Sequence, residues 1–379
     1  MIQRLVLVGA GHAHAQVLKA WASSPRVGVD VVVVSPHALA PYSGMVPGWL
    51  SGAYRFDEIA IDFHRLCKQA GARWSGAHLE SVDSQRQTIT LSNGECLPYD
   101  FLSLNVGSTL VPPSGAFRAQ ILSMRPLADL RDRYEVLLSQ WRVDTGDQPL
   151  RVVAVGGGAA GFESLLAVLR RLRHERPDRV VHGSLMSRSL EVLPGYPAAA
   201  QRAALRTLQR ANVTVQLGTS WCDTVGQSSD WVLWATGAQP HAWQRDPARR
   251  CGLAVSEEGY VQIDAHLRSV SHPNIFAAGD CAQWAQSLPK AGVYAVRMGP
   301  VLTHNLQAAL EKRPMQSYEP QSSFLSLLAT ANGQAIASRG RWSLSGRWAW
   351  WLKDYIDRGF IRRFSPTDSL SVQTQGDFS

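Results

Sequence analysis

Short apolar runs separated by longer mixed stretches dominate the chain. Residues 5–8, 29–35, 151–155, 231–237 and 274–281 each carry β-branched or other apolar side chains in a run that predicts a buried strand. Helical patterns follow some of these runs directly, most clearly at about 162–173. Strands alternating with helices predict an α/β fold built on parallel sheets.

The first predicted strand runs into a glycine turn. Gly9, Gly11 and His14 form the pattern G-x-G-x-x-H, which predicts the start of a nucleotide-binding βαβ unit. The first glycine permits a tight turn, and the second lets backbone N–H groups approach a pyrophosphate at the helix N-terminus. His14 replaces the usual third glycine, so this copy is imperfect.

A complete copy of the same turn occurs later in the chain. The run GGGAAGFE places Gly156, Gly158, Gly161 and Glu163 between a predicted strand and the helix at about 162–173. Two such units in one chain predict two Rossmann-like sheets, each with its own dinucleotide site.

Two further strands end in small residues. Residues 231–237 read WVLWATG, and residues 274–281 read NIFAAGDC. Because ligands of doubly wound sheets lie beyond the carboxyl ends of the strands, Asp280 is predicted to bind a cofactor hydroxyl. An ordinary turn is the alternative.

In this order, GAGHAH, GGGAAGFE, WATG and AAGDC resemble the motifs of two-dinucleotide-domain flavoproteins of the pyridine nucleotide-disulfide oxidoreductase family. The runs APYSGMVPGWLSG, FDEIAID and LPKAGVYAVRMGPVLTHNL, with the C-terminal ASRGRWSLSGRWAWWLKDYIDRGFIRRF, resemble the flavoprotein found beside, or fused to, selenophosphate synthetase in bacteria. That group is similar to type II NADH dehydrogenases. The resemblance suggests selenophosphate synthetase as one partner.

The resemblance implies FAD at the first site and NAD(P)H at the second. It also implies an FAD-binding domain made of residues 1–112 and 239–318, an inserted NAD(P)H-binding domain at 113–238, and a C-terminal segment at 319–379. The Gly-, Pro- and Ser-rich stretch 107–116 suits the first crossing between domains.

Site residues also follow from the resemblance. Glu163 would lie near the nicotinamide, and Lys290 would add positive charge beside the flavin, unless it is a solvated loop lysine. The helix beginning near Gly292 would direct its positive end at the flavin. The predicted cofactor-contacting residues are Gly9, Gly11, His12, Ser35, Tyr42, Met45, Pro47, Gly107, Gly156, Gly158, Gly161, Ser187, Arg188, Gly237, Gly279, Asp280, Gly292 and Val293.

The run APYSGMVPGWLSG at 40–52 is predicted to be a loop along the isoalloxazine ring, with Tyr42, Met45 and Pro47 in contact. In flavoprotein disulfide reductases this stretch carries a redox cysteine pair, but here it contains no cysteine. Electrons are therefore predicted to pass directly from the flavin to an acceptor.

Five scattered cysteines form no CxxC pair and no ligand-spaced cluster. A zinc site, another metal site and a disulfide framework are therefore not predicted. Cys281 follows Asp280 and is the cysteine expected nearest the flavin. A redox disulfide assembled from distant cysteines is the alternative to direct transfer.

Ser35 and Ser187 end the two strands that normally carry a ribose-binding acid. In the second unit Arg188 follows, and a guanidinium suits the 2′-phosphate of NADPH. Loss of nucleotide binding at the second site is the alternative. Arg297 and Met298 stand where type II NADH dehydrogenases carry a glutamine pair near quinone, which puts quinone reduction in question.

The chain has 379 residues, a net charge of +8 and 45% hydrophobic residues, which predict several globular domains. The charge suits a membrane face, a phosphorylated cofactor or an ordinary surface, and no nucleic-acid-binding motif accompanies it. Neither an export signal nor a membrane-spanning run is visible, so the sequence predicts a cytoplasmic protein. The inner face of the membrane is the alternative location.

Aromatic and basic residues mark the C-terminal pattern. Six residues recur at helical spacing, and they are Trp348, Trp351, Leu352, Tyr355, Ile356 and Phe360. This stripe predicts docking on the FAD-binding domain or contact with a membrane surface. The sequence as a whole predicts an FAD-dependent NAD(P)H oxidoreductase with a small-molecule or quinone acceptor. The alternative is a flavin-holding accessory protein of a selenium pathway without turnover.

Overall fold

Two five-stranded parallel sheets form the centre of the molecule, which a computed structural model describes over residues 2–286, 288–321 and 323–365. Helices cover the sheets, and a three-stranded antiparallel sheet followed by one helix closes the described chain. The predicted α/β class with two Rossmann-like sheets is confirmed.

The elements follow in chain order. The first part contains β1 (Gln3–Val8), α1 (His12–Ser23), β2 (Val29–Val34), β3 (Leu39–Pro41), α2 (Val46–Leu50), α3 (Phe56–Ile59), β4 (Ala60–Asp62), α4 (Phe63–Ala70), β5 (Arg73–Ser75), β6 (Leu79–Asp83), β7 (Thr88–Leu91), β8 (Cys96–Pro98) and β9 (Phe101–Leu104). The second part contains β10 (Gln120–Ser123), α5 (Leu127–Val143), β11 (Leu150–Val155), α6 (Ala159–Glu175), β12 (Val181–Met186), α7 (Ala198–Arg210), β13 (Val213–Gln216), α8 (Asp223–Ser228) and β14 (Trp231–Trp234). The remainder contains α9 (Ala242–Arg245), β15 (Val261–Gln262), β16 (Ile275–Ala277), β17 (Ala282–Gln283), α10 (Gly292–Leu310), β18 (Ser326–Ala329), β19 (Ala335–Arg339), β20 (Trp342–Gly346) and α11 (Arg347–Arg362).

The first sheet has the strand order β16-β9-β1-β2-β5, with every neighbouring pair parallel. Leu5, Val6 and Leu7 in its central strand are fully buried, as the apolar run requires. Helix α1 packs against α10 and α4. The hairpin β3–β4 and the antiparallel sheet β6-β7-β8 lie outside this sheet.

The second sheet has the order β10-β14-β11-β12-β13 and is also parallel throughout. Helix α6 follows β11 and begins at Ala159, three residues before the predicted start at 162. The alanine pair after Gly158 explains the difference, because alanine has the highest helix propensity of all residues.

One sheet interrupts the other in sequence. Strand β16 joins β9 in the first sheet only after the chain has formed the whole second sheet. On this basis we keep the domain limits at residues 112, 238 and 318 as our proposal for how the chain is divided.

The segment 40–52 is not the open loop that its composition predicts. After β3 it forms a 3₁₀ turn at Ser43–Met45 and then the short helix α2, whose five residues are all buried. Pro47 stands in the first turn of α2, where proline is compatible with a helix. Gly48 lies directly under the ring of Tyr54, so its missing side chain serves close packing rather than flexibility.

The C-terminal helix α11 docks with a different face from the predicted aromatic stripe. Its buried residues are Ala349, Lys353, Asp357, Phe360 and Ile361. Of the six predicted stripe residues, Trp348, Trp351, Tyr355 and Ile356 are exposed. Docking through the aromatic stripe is therefore wrong for these four residues. Across residues 2–286, 288–321 and 323–365, no helix has the length and apolar character needed to span a bilayer.

Candidate functional site

A single cavity of about 1330 Å³ is lined by the carboxyl ends of both parallel sheets. Its wall includes Gly9 and Gly11 of the first turn and Gly156 and Gly158 of the second. The two predicted dinucleotide sites therefore open into one continuous space.

The side chain of Asn105 organises the first turn. The N–H groups of Ala13 and His14 donate to Asn105 Oδ1 over 3.1 and 3.3 Å, and Asn105 Nδ2 donates to the Ala278 carbonyl oxygen over 2.6 Å. Gly11 stands at the N-cap of α1 and has no side chain to cap the helix. Asn105 supplies that cap from the end of β9 and ties it to the end of β16.

Close packing against Asn105 also explains the two glycines of this turn. A Cβ atom on Gly11 would lie 2.1 Å from Asn105 Oδ1, and one on Gly9 would lie 2.4 Å from the Asn105 carbonyl oxygen. Gly9 has φ of 101°, a conformation that favours glycine. These glycines are therefore required by the protein's own backbone, in addition to any ligand.

His14 replaces the third glycine through a pair of hydrogen bonds. Its Nδ1 lies 2.8 Å from the Gly9 carbonyl oxygen and its Nε2 lies 2.8 Å from Ser103 Oγ. Because a carbonyl oxygen only accepts, Nδ1 carries the proton and the Ser103 hydroxyl donates to Nε2. Burial lowers the pKa of His14 to about 4, which the hydrogen bond to Gly9 only partly opposes. The imidazole is therefore neutral.

In the second turn the third glycine keeps its usual role. A Cβ atom on Gly161 would lie 1.9 Å from the Gly156 carbonyl oxygen, so α6 can approach β11 only with glycine there. The N-cap of α6 is Gly158, which makes no side-chain cap. The first N–H groups of this 17-residue helix are thus available at the cavity wall.

Asp280 lies at the cavity wall, where its predicted cofactor-binding role stays a prediction, and it has a partner that sequence reasoning missed. Arg125 Nη1 forms an ion pair with Asp280 and also donates to Ser108 Oγ. The other nitrogen, Nη2, donates to the Lys290 carbonyl oxygen over 3.2 Å. Arg125 follows β10, a four-residue strand too short and polar to be recognised from its pattern.

The end of β2 has no acidic residue of its own, but a carboxylate from another part of the chain lies near it. Ser35 follows β2 and supplies no acid, but His37 Nε2 lies 3.0 Å from Asp129 Oδ1 on α5, and all three residues line the cavity. Asp129 comes from the second sheet's half of the chain, so no local motif could have indicated it.

Lys290 lines the cavity, and its ammonium group is already engaged by the protein. Nζ donates to the Ala282 carbonyl oxygen over 2.6 Å and lies 3.7 Å from the centre of the Tyr260 ring. Burial lowers the pKa of Lys290, while the Asp280 carboxylate raises it. The alternative that Lys290 is a solvated loop lysine is therefore wrong, because its ammonium group is half-buried and bonded to the protein.

The far end of the cavity is lined by Ser187, Arg188 and Trp221. Ser187 Oγ accepts from the Ser189 N–H over 3.2 Å. Arg188 is exposed at the cavity rim. Trp221 makes edge contacts with Phe117 and Trp234 at centroid distances of 5.6 and 5.5 Å, which fix its indole at the wall.

Glu163 faces the cavity from the second turn of α6. Its Oε1 accepts from the Ala329 N–H over 2.6 Å, so strand β18 of the C-terminal segment reaches this residue. Burial raises the pKa of Glu163 to about 7, against the opposing effects of Lys353 and the hydrogen bond from Ala329. The carboxyl group can therefore hold or release a proton near neutral pH.

Fifteen of the twenty predicted site residues line the cavity, and the other five lie behind its wall. Gly161 and Gly279 serve packing, since a Cβ on Gly279 would lie 2.9 Å from Asn105 Nδ2. Met45 is fully buried, and the Tyr42 ring packs against Phe360 at 4.6 Å. The fifth is Val293, in the first turn of α10.

These features fit the two dinucleotides that the resemblance implies. The first half offers a side-chain-free turn, the carboxylate of Asp280 and the guanidinium of Arg125 for a flavin dinucleotide. The second half offers free helix N–H groups, Glu163 and Arg188 for a nicotinamide dinucleotide.

Comparison with known proteins adds independent information. A family model described as pyridine nucleotide-disulphide oxidoreductase matches residues 3–299. Ferroptosis suppressor protein 1 of Taeniopygia guttata is 25% identical over 340 residues, which cover 84% of each chain. Type II NADH:quinone oxidoreductase of Haemophilus influenzae is 24% identical over 46% of this chain and 43% of its own. The structure of NDH2 from Plasmodium falciparum in complex with NADH matches with a TM-score of 0.75 at 14% identity, covering 96% of this chain and 98% of that chain.

The raised pKa of Glu163 predicts a pH dependence of stability. As pH rises from about 4.5 to about 7, the unfolded chain releases this proton while the folded protein retains it. The parent should therefore lose up to roughly 3 kcal/mol of unfolding free energy relative to Glu163→Gln over this range. Urea unfolding of both proteins from pH 4.5 to pH 8 measures the difference. Parallel curves would show that Glu163 has an ordinary pKa.

Proposed function

The chain belongs to the pyridine nucleotide-disulphide oxidoreductase family, and we propose that it passes electrons from NAD(P)H directly to a small-molecule or quinone acceptor. It is an FAD-dependent oxidoreductase, as are its family and relatives. When bound, FAD supplies a hydride acceptor and holds two electrons until the second substrate arrives.

The distribution of cysteines carries the proposal of direct transfer. None of the five cysteines, all within the described residues, lines the cavity. Cys281, the one predicted nearest the flavin, is buried and donates through Sγ to the carbonyl oxygens of Leu104 and Ala278. Burial raises the pKa of this thiol to about 11, so it stays protonated and is a poor nucleophile.

The chain's own residues supply binding and orientation. Hydride transfer needs alignment of the two rings more than it needs an acid or a base. The Asp280–Arg125 pair joins the two halves of the chain at the cavity, and Glu163 presents a carboxyl group beside the second glycine turn. This arrangement supports an enzyme over a flavin-holding accessory protein, because both halves share one space.

Two observations bear on the identity of the electron acceptor: the description of a relative and the positions of Arg297 and Met298. A relative is described as an NADH:quinone oxidoreductase, which supports a quinone. Met298 is buried, with its Sδ accepting from the Gly279 N–H over 3.2 Å, and Arg297 is exposed. Neither side chain lines the cavity, so neither residue favours a quinone over a small soluble acceptor. We therefore propose both classes of acceptor. Association with selenophosphate synthetase stays a prediction, since none of these relatives is described in those terms.

Arg188 supports the use of NADPH at the second site. It follows β12, at the position where ribose-binding residues of dinucleotide folds lie, and Ser187 supplies no carboxylate that would repel a phosphate. Its guanidinium is exposed at the cavity rim, free to bind a 2′-phosphate through two hydrogen bonds. We propose that NADPH is used at least as efficiently as NADH.

Exposed aromatic residues on the C-terminal segment support contact with the inner face of a membrane. Trp342, Trp351 and Tyr355 are 82%, 63% and 74% exposed, and Trp348 and Leu344 are exposed beside them. Exposed arginines accompany this aromatic surface, and they are Arg339, Arg341, Arg347, Arg362 and Arg363. Tryptophan and arginine together suit the headgroup region of an anionic bilayer.

The proposal of direct transfer predicts that thiols are dispensable. In the test variant, Cys67 and Cys281 are replaced with Ala and the other three cysteines with Ser. Because no cysteine in the described residues lines the cavity, NAD(P)H-driven reduction of a soluble quinone should stay within about twofold of the parent rate. A twofold change corresponds to only ~0.4 kcal/mol in the activation free energy. Anaerobic flavin bleaching and steady-state acceptor reduction measure the two halves separately. A folded variant that bleaches normally but reduces no acceptor would establish a redox role for cysteine. Cys281→Ala alone is the control for packing.

The Arg188 assignment predicts a selective loss. Arg188→Ala should lower the efficiency of flavin reduction by NADPH about tenfold to a hundredfold and leave NADH nearly unaffected, because only NADPH carries the 2′-phosphate. Stopped-flow bleaching with each nucleotide measures this. Equal losses with both nucleotides would assign Arg188 to a common contact. A parent with bound FAD that neither nucleotide reduces would favour the accessory-protein alternative.

The aromatic surface predicts binding to anionic lipid. The variant Trp348→Ser/Trp351→Ser should bind vesicles of phosphatidylcholine and phosphatidylglycerol at least about tenfold more weakly than the parent, because two interfacial indoles are lost. Val143→Ser, a change at an exposed apolar residue of α5, is the matched control. Cosedimentation measures binding. Parent protein that fails to bind these vesicles, or a double variant that binds them equally well, would contradict membrane contact through this surface.

A further inference from the structure

Lys353 and Asp357 of α11 are unusual because they are buried charges. They are 6% and 5% exposed, and no other Asp, Glu, Lys or Arg in the described part of the chain is buried to this degree. Lys353 Nζ lies 2.8 Å from Asp357 Oδ2, one helical turn away. Burying such a pair removes hydration from both charges, and their mutual attraction often fails to recover that loss. Apolar side chains would dock a helix more cheaply, so the pair needs another explanation.

The pair reaches beyond its own helix to the segment beside the cavity. Lys353 Nζ donates to the carbonyl oxygen of Gly44 over 2.5 Å. Gly44 lies in the Ser43–Met45 turn, and a Cβ atom there would lie 3.1 Å from Asp357 Oδ1. The same Cβ would lie 2.9 Å from Cε1 of the Tyr42 ring, so the backbone of this turn packs closely against both the ion pair and that ring.

The same turn forms part of the cavity wall. Ser43, Val46 and Pro47 line the cavity on either side of the turn's buried residues. A Cβ atom on Gly292, the first residue of α10, would lie 2.4 Å from Ser43 Oγ. A small shift at Gly44 would therefore move both the wall and the start of α10.

Further contacts place α11 along the whole segment from Tyr42 to Tyr54. Phe360 packs on the Tyr42 ring at 4.6 Å, and Asp354 Oδ1 accepts from the Tyr54 hydroxyl over 2.5 Å. Lys353 and Asp357 also act on the ionisation of Glu163 with opposite signs, which places both charges within electrostatic range of that carboxyl group.

We propose that Lys353 and Asp357 are positioning residues for electron transfer from NAD(P)H to FAD. The pair holds the Gly44 carbonyl and thereby fixes the Ser43–Pro47 segment at the cavity wall. The C-terminal helix is then a component of the catalytic site. The inference rests on FAD binding in this cavity and does not depend on the acceptor, the nucleotide preference or the membrane.

Two variants separate positioning from simple docking of the helix. Lys353→Met leaves Asp357 buried and unpaired, so it should lower the melting temperature. Lys353→Met/Asp357→Leu removes both charges and should recover most of that loss. If the pair positions the segment, both variants should still shift the FAD absorption band and slow flavin reduction by NAD(P)H about tenfold. Both should also raise backbone hydrogen exchange across 42–50.

Arg358→Met is the matched control. Arg358 pairs with Asp354 at 2.8 Å on the same helix but is partly exposed and makes no hydrogen bond to the 43–47 segment. It should leave the flavin spectrum and exchange across 42–47 at parental values. A double variant with the parental spectrum, exchange and reduction rate would overturn the proposal and assign the pair to docking alone.

The test does not depend on recovering the double variant. Asp357→Asn retains an acceptor for Lys353 and removes the charge, and it should give a smaller change of the same kind in the absorption band and in exchange across 42–50. Parental values for both would also overturn the proposal. Should neither nucleotide reduce the parent, the proposed activity fails, but the spectrum and the exchange still decide the role of the pair.

Discussion

The carboxamide of Asn105 is the interaction on which the first dinucleotide site depends. Its oxygen caps the N-terminus of α1, and its nitrogen donates to the Ala278 carbonyl oxygen at the end of β16, so three chain segments separated by about ninety and by more than 170 residues meet at one side chain. Gly11 cannot carry a Cβ because Asn105 occupies the space. The turn and the amide are therefore a single unit, and neither can change alone. Capping one helix end contributes only about 1 kcal/mol to the stability of the fold. The relative positions of α1, β9 and β16 at this edge of the sheet nevertheless depend on it.

The two glycine turns solve the same packing problem in different ways. In the second turn Gly161 lets α6 lie against the Gly156 carbonyl. In the first turn His14 satisfies the equivalent carbonyl, that of Gly9, with an N–H group and then continues to Ser103 on β9. This works only with a neutral imidazole in one tautomer, and burial enforces that state. The departure from the glycine pattern is thus a polar substitute for close contact, and it does not weaken the site.

Sequence reasoning succeeded where the relevant signal is local and failed where it is not. The glycine turns and the strands at 5–8, 151–155 and 231–237 could be predicted because apolar periodicity and turn chemistry lie within a few residues of each other. Asn105, Arg125 and Asp129 could not be predicted, because each acts on a partner from another part of the chain. The Gly, Pro and Ser content of the segment 40–52 predicts a loop, yet Pro47 suits a first helical turn and Gly48 suits contact with Tyr54. Composition alone does not distinguish a flexible segment from a tightly packed one.

Helix α11 departs from the usual arrangement of an amphipathic helix, and this departure explains why docking through the aromatic stripe is wrong for four of its residues. Periodicity places the apolar stripe inward by default, but here the inward face carries Lys353 and Asp357 while Trp351 and Tyr355 face outward. Exposed aromatic residues gain nothing from folding, and buried charges lose hydration on folding. Although Ala349, Phe360 and Ile361 are buried on the inward face, the buried charges and the exposed aromatic residues are not explained by the stability of the chain alone. Lys353 donates to the Gly44 carbonyl oxygen at the cavity wall, whereas Trp351 on the outward face contacts Arg347 of its own helix. The buried charges therefore connect α11 to the cavity wall through the Gly44 carbonyl, a contact with the site that the amphipathic pattern of the helix does not indicate.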